Sequence, residues 1–213
     1  MLDNMHPHQN QPVENGGEPL ADAKGAVILI HGRGATAESI LSLADQFDQP
    51  GIAYLAPQAA DNTWYPYSFM EPLYQNSPGI SSGLQAINDL VDHIEAIGIP
   101  IEKIVLLGFS QGACLATEYA AQNARRYGGI VGLSGGLIGP DGTPRTYKGS
   151  FNQTPVFLGC SDIDPHIPLE RVNETAEVFE RMGADVTKRI YPNMGHTVNE
   201  DEIQFVREIL KNG

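Results

Sequence analysis

Ser110 stands in Gly108-Phe109-Ser110-Gln111-Gly112, between the apolar run Ile104-Val105-Leu106-Leu107 and a helical pattern running from Ala113 to about Ala124. A G-x-S-x-G pattern in that setting predicts a sharp strand–turn–helix elbow that lifts the hydroxyl above a sheet edge. The helix N-terminus beneath it offers unpaired N–H groups to a developing oxyanion. A second match, Gly132-Leu133-Ser134-Gly135-Gly136, also follows an apolar run, but Gly139, Pro140, Gly142 and Pro144 come next and cannot start a helix. Ser110 is therefore the nucleophile candidate, and Ser134 reads as a loop serine.

A serine needs a base to accept its proton and an acid to orient that base. Of the six histidines, His6 and His8 lie in a polar tail, where isolated histidines rarely do anything specific. His93 falls off the apolar stripe of its helix, and His31, after a buried strand, suits support of a neighbouring loop. His166 and His196 remain. His196, in Pro192-Asn193-Met194-Gly195-His196-Thr197, has the position of a base placed last in the order Ser, Asp, His. Gly195 beside it suggests close passage of the backbone. His166 lies two residues after Asp164, so one loop would have to supply both base and orienter. Cys160-Ser161-Asp162-Ile163-Asp164-Pro165 offers two acids, and spacing does not choose between Asp162 and Asp164. Asp162 also suits turn formation through a side-chain-to-backbone bond, and Asp164, fixed before Pro165, is the better orienter. Cys114 and Cys160 suit buried apolar positions.

Short β-like runs alternate with helical patterns from about Gly25 onward. Strands are expected at Ala26–Ile30, Ile52–Leu55, Ile104–Leu107, Gly129–Leu133, Pro155–Gly159 and Asp185–Tyr191. Continuous apolar runs such as Ala26–Ile30 mark strands covered on both faces. Helices are expected from a Thr36 cap to about Phe47, after Ser77-Pro78 to Gly98, over Leu169–Met182 and over Glu200–Leu210. For the second of these, Ser77 would cap and Pro78 would take the first helical position. Its Ile80, Leu84, Ile87, Val91 and Ile94 give one buried stripe. The alternation predicts an α/β protein with a mostly parallel central sheet, helices on both faces and sites at the carboxyl ends of the strands. Residues 1–22 form a polar segment with room for an edge strand, and residues 23–213 the single domain. Gly135–Gln153 reads as a loop rather than a large lid, and the aromatic stretch holding Trp64, Tyr65 and Phe69 is a candidate pocket wall, with packing of the loop as the alternative.

Gly-Phe-Ser-Gln-Gly-Ala, with Asp-Pro-x-Ile-Pro, Gly-His and an earlier Leu-Ile-His-Gly-Arg-Gly, resembles the small carboxylesterase/phospholipase family of α/β-hydrolases, which includes the acyl-protein thioesterases. The resemblance runs from about Ala23 to Leu210. It implies Ser110, Asp164 and His196 as a triad, because the acid of that family directly precedes the Pro of its D-P-x-V-P motif. It also implies an oxyanion hole from the backbone N–H groups of Arg33 and Gln111. The eukaryotic thioesterases of the family usually carry an apolar residue where Arg33 stands. Its side chain would pair with a surface acid or face the pocket entrance. This departure favours a bacterial-type small-molecule esterase over a protein depalmitoylase. Thioesterase, lysophospholipase, dienelactone and peptide hydrolase chemistry use the same triad. A non-catalytic hydrolase-like receptor or scaffold is the alternative outside enzymology.

Composition narrows the partners. The chain has 213 residues, 41% of them hydrophobic and 18% charged, which suits one compact domain. Thirteen basic against 26 acidic residues leave a formal charge of −13, which argues against nucleic acid and anionic membrane. The polar N-terminus lacks the pattern of a signal peptide and no run approaches a membrane span, so a cytoplasmic location is expected. The expected partner is a small-molecule ester, with no metal or other cofactor, and a homodimer is left open.

Overall fold

The computed structural model describes residues 5–47 and 49–212. Seven strands, β1 (Val13–Gly17), β2 (Gly25–Ile30), β3 (Ile52–Pro57), β4 (Ile104–Phe109), β5 (Gly129–Leu133), β6 (Pro155–Ser161) and β7 (Asp185–Tyr191), form one sheet in the order β1-β3-β2-β4-β5-β6-β7. Every neighbouring pair is parallel except β1, which runs antiparallel to β3 along the edge. The helices are α1 (Ala37–Leu41), α2 (Ala44–Phe47), α3 (Gly79–Ile97), α4 (Gln111–Gln122), α5 (Leu169–Arg181) and α6 (Glu200–Asn212).

Strand periodicity explains the uninterrupted apolar runs. Ala26, Ile28 and Ile30 of β2, with Ile104 and Leu106 of β4, join α3, α4 and α5 in one core layer. Val27, Leu29, Val105 and Leu107 point the other way and pack with Phe47, Ile203, Val206 and Ile209. Alternate side chains thus face opposite layers, so both must be apolar.

Several local expectations need correction. Ser77 does not cap α3. The helix begins at Gly79 after Pro78, with no side-chain cap, and a short 3₁₀ turn, Leu73–Asn76, precedes Ser77. The start is set by tertiary contact instead: a Cβ on Gly79 would stand 2.4 Å from the Trp64 carbonyl oxygen, so only glycine lets the helix end approach that loop. The helix expected from Thr36 to Phe47 is two short ones, the first closed by a Thr36–Ser39 capping box. The elbow helix starts at Gln111, two residues before its expected beginning, and ends at Gln122. His8 is buried rather than an idle tail residue. On the α3 stripe, Ile80, Ile87, Val91 and Ile94 are buried and Leu84 is half-buried. No helix among the described residues is long and apolar enough to cross a membrane.

Candidate active site

The elbow after β4 is built by close approach. Ser110 has φ 56° and ψ −119°, a strained conformation for a residue with a side chain. A Cβ on Gly108 would lie 2.2 Å from the Gly112 carbonyl oxygen, and one on Gly112 would lie 2.0 Å from that of Ile30. Both outer positions of G-x-S-x-G therefore exclude any side chain. The Ser110 N–H donates to the Leu133 carbonyl at 2.9 Å, fixing the turn against the next strand. Ser110 sits directly before α4, whose first N–H groups have no partners in the helix itself.

Ser134 repeats part of this geometry with φ 51°, and its N–H donates to the Gly159 carbonyl at 2.7 Å. Its side chain is fully buried and lies outside the cavity that holds Ser110. Local backbone strain is shared by the two serines, and access separates them.

Three side chains from three strand ends form one line. His196 Nε2 is 2.8 Å from Ser110 Oγ, and His196 Nδ1 is 2.7 Å from Asp164 Oδ2. The other carboxylate oxygen of Asp164 accepts the N–H groups of His166 at 2.9 Å and Ile167 at 3.0 Å. Burial pushes the Asp164 carboxyl up, but the His196 ring and these two N–H groups outweigh it and hold the group below its ordinary range. Asp162 is not in the line. It accepts the Asn193 N–H at 2.8 Å, and Ser161 Oγ donates to the Met194 carbonyl, so the acid loop is tied twice to the loop bearing His196. Its role reaches beyond the local turn expected for it. A Cβ on Gly195 would meet nothing within 4 Å, so that glycine is not required by close packing. His166 is exposed, with its ring centroid 4.9 Å from that of His196, edge to face.

Ser110 opens into a cavity of about 550 Å³. Tyr65 and Phe69 line it, as do Arg33, Gln111, Cys114 and Ile167. Trp64 does not: it is wholly buried and its indole N–H donates to the His31 carbonyl at 2.9 Å. It anchors the loop rather than the pocket wall, a role its size and polar edge suit. Burial raises the Cys114 thiol to about 11 and the Cys160 thiol to about 12, keeping both protonated.

Gln111 and His8 hold the Trp64 loop in ways the sequence did not reveal, and His31 supports the same loop as its position predicted. The Gln111 side chain accepts the Trp64 N–H at 2.9 Å and donates to the Tyr65 carbonyl at 2.8 Å, so the residue after the serine clamps the pocket wall. His8 Nε2 is 2.8 Å from the Trp64 carbonyl oxygen and its Nδ1 accepts the Ala60 N–H at 3.1 Å, while His31 Nε2 accepts the Ala59 N–H at 3.1 Å. Because each ring accepts at one nitrogen from a backbone donor, both are neutral, and burial lowers the pKa of each. Arg33 makes no ion pair among the described residues. Its guanidinium donates to the Pro66 carbonyl at 2.8 Å and to that of Tyr67, and lies 5.7 Å from the Tyr65 ring centroid. A Cβ on Gly32 would be 3.4 Å from that of Ser110, so the loop after β2 passes directly beside the serine. Among the described residues no group of three or more His, Cys, Asp or Glu could hold a metal ion.

The sequence profile of the phospholipase/carboxylesterase family matches residues 9–212. A solved phospholipase/carboxylesterase from Dyadobacter fermentans superposes with a TM-score of 0.92 at 48% identity, covering 95% of this chain and 97% of that one. An acyl-protein thioesterase 1 from Candida albicans is 28% identical over 90% of this chain and 93% of its own length. That of Saccharomyces cerevisiae is 27% identical over 90% of this chain and 94% of its own.

Proposed function

The chain belongs to the phospholipase/carboxylesterase family, and from that premise we propose that it is a serine carboxylesterase for small to medium acyl esters, with Ser110 as nucleophile, His196 as base and Asp164 as orienting acid. The observation that carries this reading is the unbroken line from Ser110 Oγ through the His196 ring to Asp164, with links of 2.8 and 2.7 Å. Ser110 Oγ attacks the ester carbonyl as its proton passes to His196 Nε2. The backbone N–H groups of Arg33 and Gln111 receive the oxyanion. His196 then protonates the leaving alcohol, and the acyl-serine is cleaved by a water whose proton the same nitrogen accepts. Asp164 keeps the Nδ1 proton in place and balances the imidazolium without taking that proton. These steps require no metal or organic cofactor, and the partner is a small ester substrate.

Ser110→Ala is expected to abolish both hydrolysis of p-nitrophenyl butyrate and labelling by a fluorophosphonate, while Ser134→Ala retains both. Equal loss in two folded variants would overturn the assignment. Hydrolysis of a thioester bond is the second reading, favoured by the relatives named acyl-protein thioesterase 1. Matched acyl esters and thioesters assayed side by side separate the two.

A further inference from the structure

Two hollows flank the Ser110–His196 pair, and only one of them holds an unpaired charge. The first, of about 550 Å³, holds Ser110 and is lined by Arg33, His166 and His196, with no aspartate or glutamate among its described lining residues. The second, of about 540 Å³, shares Gly32, Ala35, Phe109 and His196 with the first. Its one acidic lining residue, Glu200, is paired with Arg207 at 2.8 Å, so among the described lining residues the unpaired fixed charge, Arg33, belongs to the first hollow. An ester lying across the serine must place its acyl and alcohol halves on different sides.

Arg33 is fixed where it can read one of those halves. Two of its nitrogens donate to the Pro66 and Tyr67 carbonyls and its guanidinium sits 5.7 Å from the Tyr65 ring centroid, so the group is held in one place. Both acceptors are neutral, so they orient the guanidinium without cancelling its charge. None of the ion pairs among the described residues includes Arg33, although acidic residues outnumber basic ones 26 to 13. A guanidinium has five N–H donors in a planar fork suited to carboxylates. Two are used on carbonyls, which leaves donors for a ligand.

We infer that the Ser110 cavity selects esters whose bound half carries a carboxylate, with Arg33 as the specificity residue. This rests on the serine-esterase reading and narrows its substrate class. A purely structural staple would act on neutral and anionic esters alike, and so would a cation that stabilised only the common oxyanion. Selection between otherwise matched substrates is therefore the discriminating property.

The test measures kcat/KM by pH-stat for monoethyl glutarate against ethyl valerate, which share a five-carbon acyl chain. A parallel arm measures 3-acetoxypropionate against propyl acetate, which moves the carboxylate to the alcohol half. In one of the two pairs the anionic ester is expected to be preferred. Arg33→Gln, which keeps donors for the carbonyls but loses the charge, should lower that preference about fivefold, the worth of an exposed ion pair. Arg33→Lys should retain part of it, and added sodium chloride should erode it in the wild type. The inference is overturned if neither pair shows a preference, or if Arg33→Gln slows both members of the preferred pair equally. Failure of the underlying esterase reading looks different: no ester is turned over, or turnover survives Ser110→Ala.

Discussion

Asp164→Asn is expected to lower kcat by about 10³–10⁴ at neutral pH with little change in KM, the range for a displaced orienting acid. The magnitude follows from which hydrogen bonds can be exchanged. One oxygen of Asp164 accepts two backbone N–H groups, from His166 at 2.9 Å and Ile167 at 3.0 Å. A backbone N–H can only donate, so the asparagine oxygen must stay on that side. The amide nitrogen is then forced to the place of Oδ2, where His196 Nδ1 lies 2.7 Å away. Two donors cannot face one another, so the imidazole moves its proton to Nε2, the atom 2.8 Å from Ser110 Oγ. The base then presents a proton where it should accept one. At about 1.4 kcal/mol per tenfold, the loss corresponds to roughly 4–5.5 kcal/mol of barrier. Asp162→Asn should cost far less, because its oxygen can still accept the Asn193 N–H. Steady-state kinetics on both variants, with circular dichroism to show folding, decide the matter. A folded Asp164→Asn enzyme with near-normal kcat, beside a crippled Asp162→Asn, would refute the reasoning.

Further outcomes follow from buried polar groups and from the pocket wall. Burial pushes the Glu202 carboxyl up to about 7, so the folded chain holds a proton that the unfolded chain releases near 4.5, and its contribution to stability falls as pH rises between those values. Glu202→Gln should therefore be the more stable form above that window, by up to about 3 kcal/mol, with the difference vanishing in acid. Urea unfolding across pH checks this, and a pH-independent difference would count against it. His8→Ala strands the Trp64 carbonyl and the Ala60 N–H. It should cost about 2–4 kcal/mol, lower Tm by roughly 5–15 °C and raise KM more than it lowers kcat, as calorimetry and kinetics would reveal. Phe69→Ala removes part of the cavity wall and should move the p-nitrophenyl ester optimum from short chains, acetate to hexanoate, toward longer ones; an unmoved optimum would take Phe69 out of the acyl site.

The inner strands β2 to β6 were legible because they are buried on both faces and read as apolar runs, whereas the edge strand β1, Val13–Gly17, is half exposed and carries no such run. The Ser110 turn was legible because two glycines are required by contacts under 2.5 Å, which leaves a local signature. Spacing could not choose between Asp162 and Asp164, since both follow the same strand and the direction of each side chain separates them; the acid directly before Pro165 was singled out by the family motif. The starts of α3 and of the Trp64 loop were hidden for another reason. They are set by contacts distant along the chain, such as Gly79 against Trp64 and His8 against Ala60. A polar tail carries no periodicity to announce a buried histidine. Aromatic content pointed to the 64–69 stretch but could not say that Trp64 faces the core while Tyr65 and Phe69 face the cavity.

The two ties between the β6 and β7 loops, Asp162 to Asn193 and Ser161 to Met194, have a mechanical consequence. With the 2.7 Å bond between His196 and Asp164, they make acid and base a single body at one side of the sheet. Ser110 belongs to another body, the elbow wedged against β2 and β5. The two meet at the imidazole, which lies 2.8 Å from the Ser110 hydroxyl and packs on the Phe109 ring with centroids 4.9 Å apart. A substitution that shifted the β4 elbow alone would therefore lengthen the Ser110–His196 contact while leaving the His196–Asp164 pair and its proton in place.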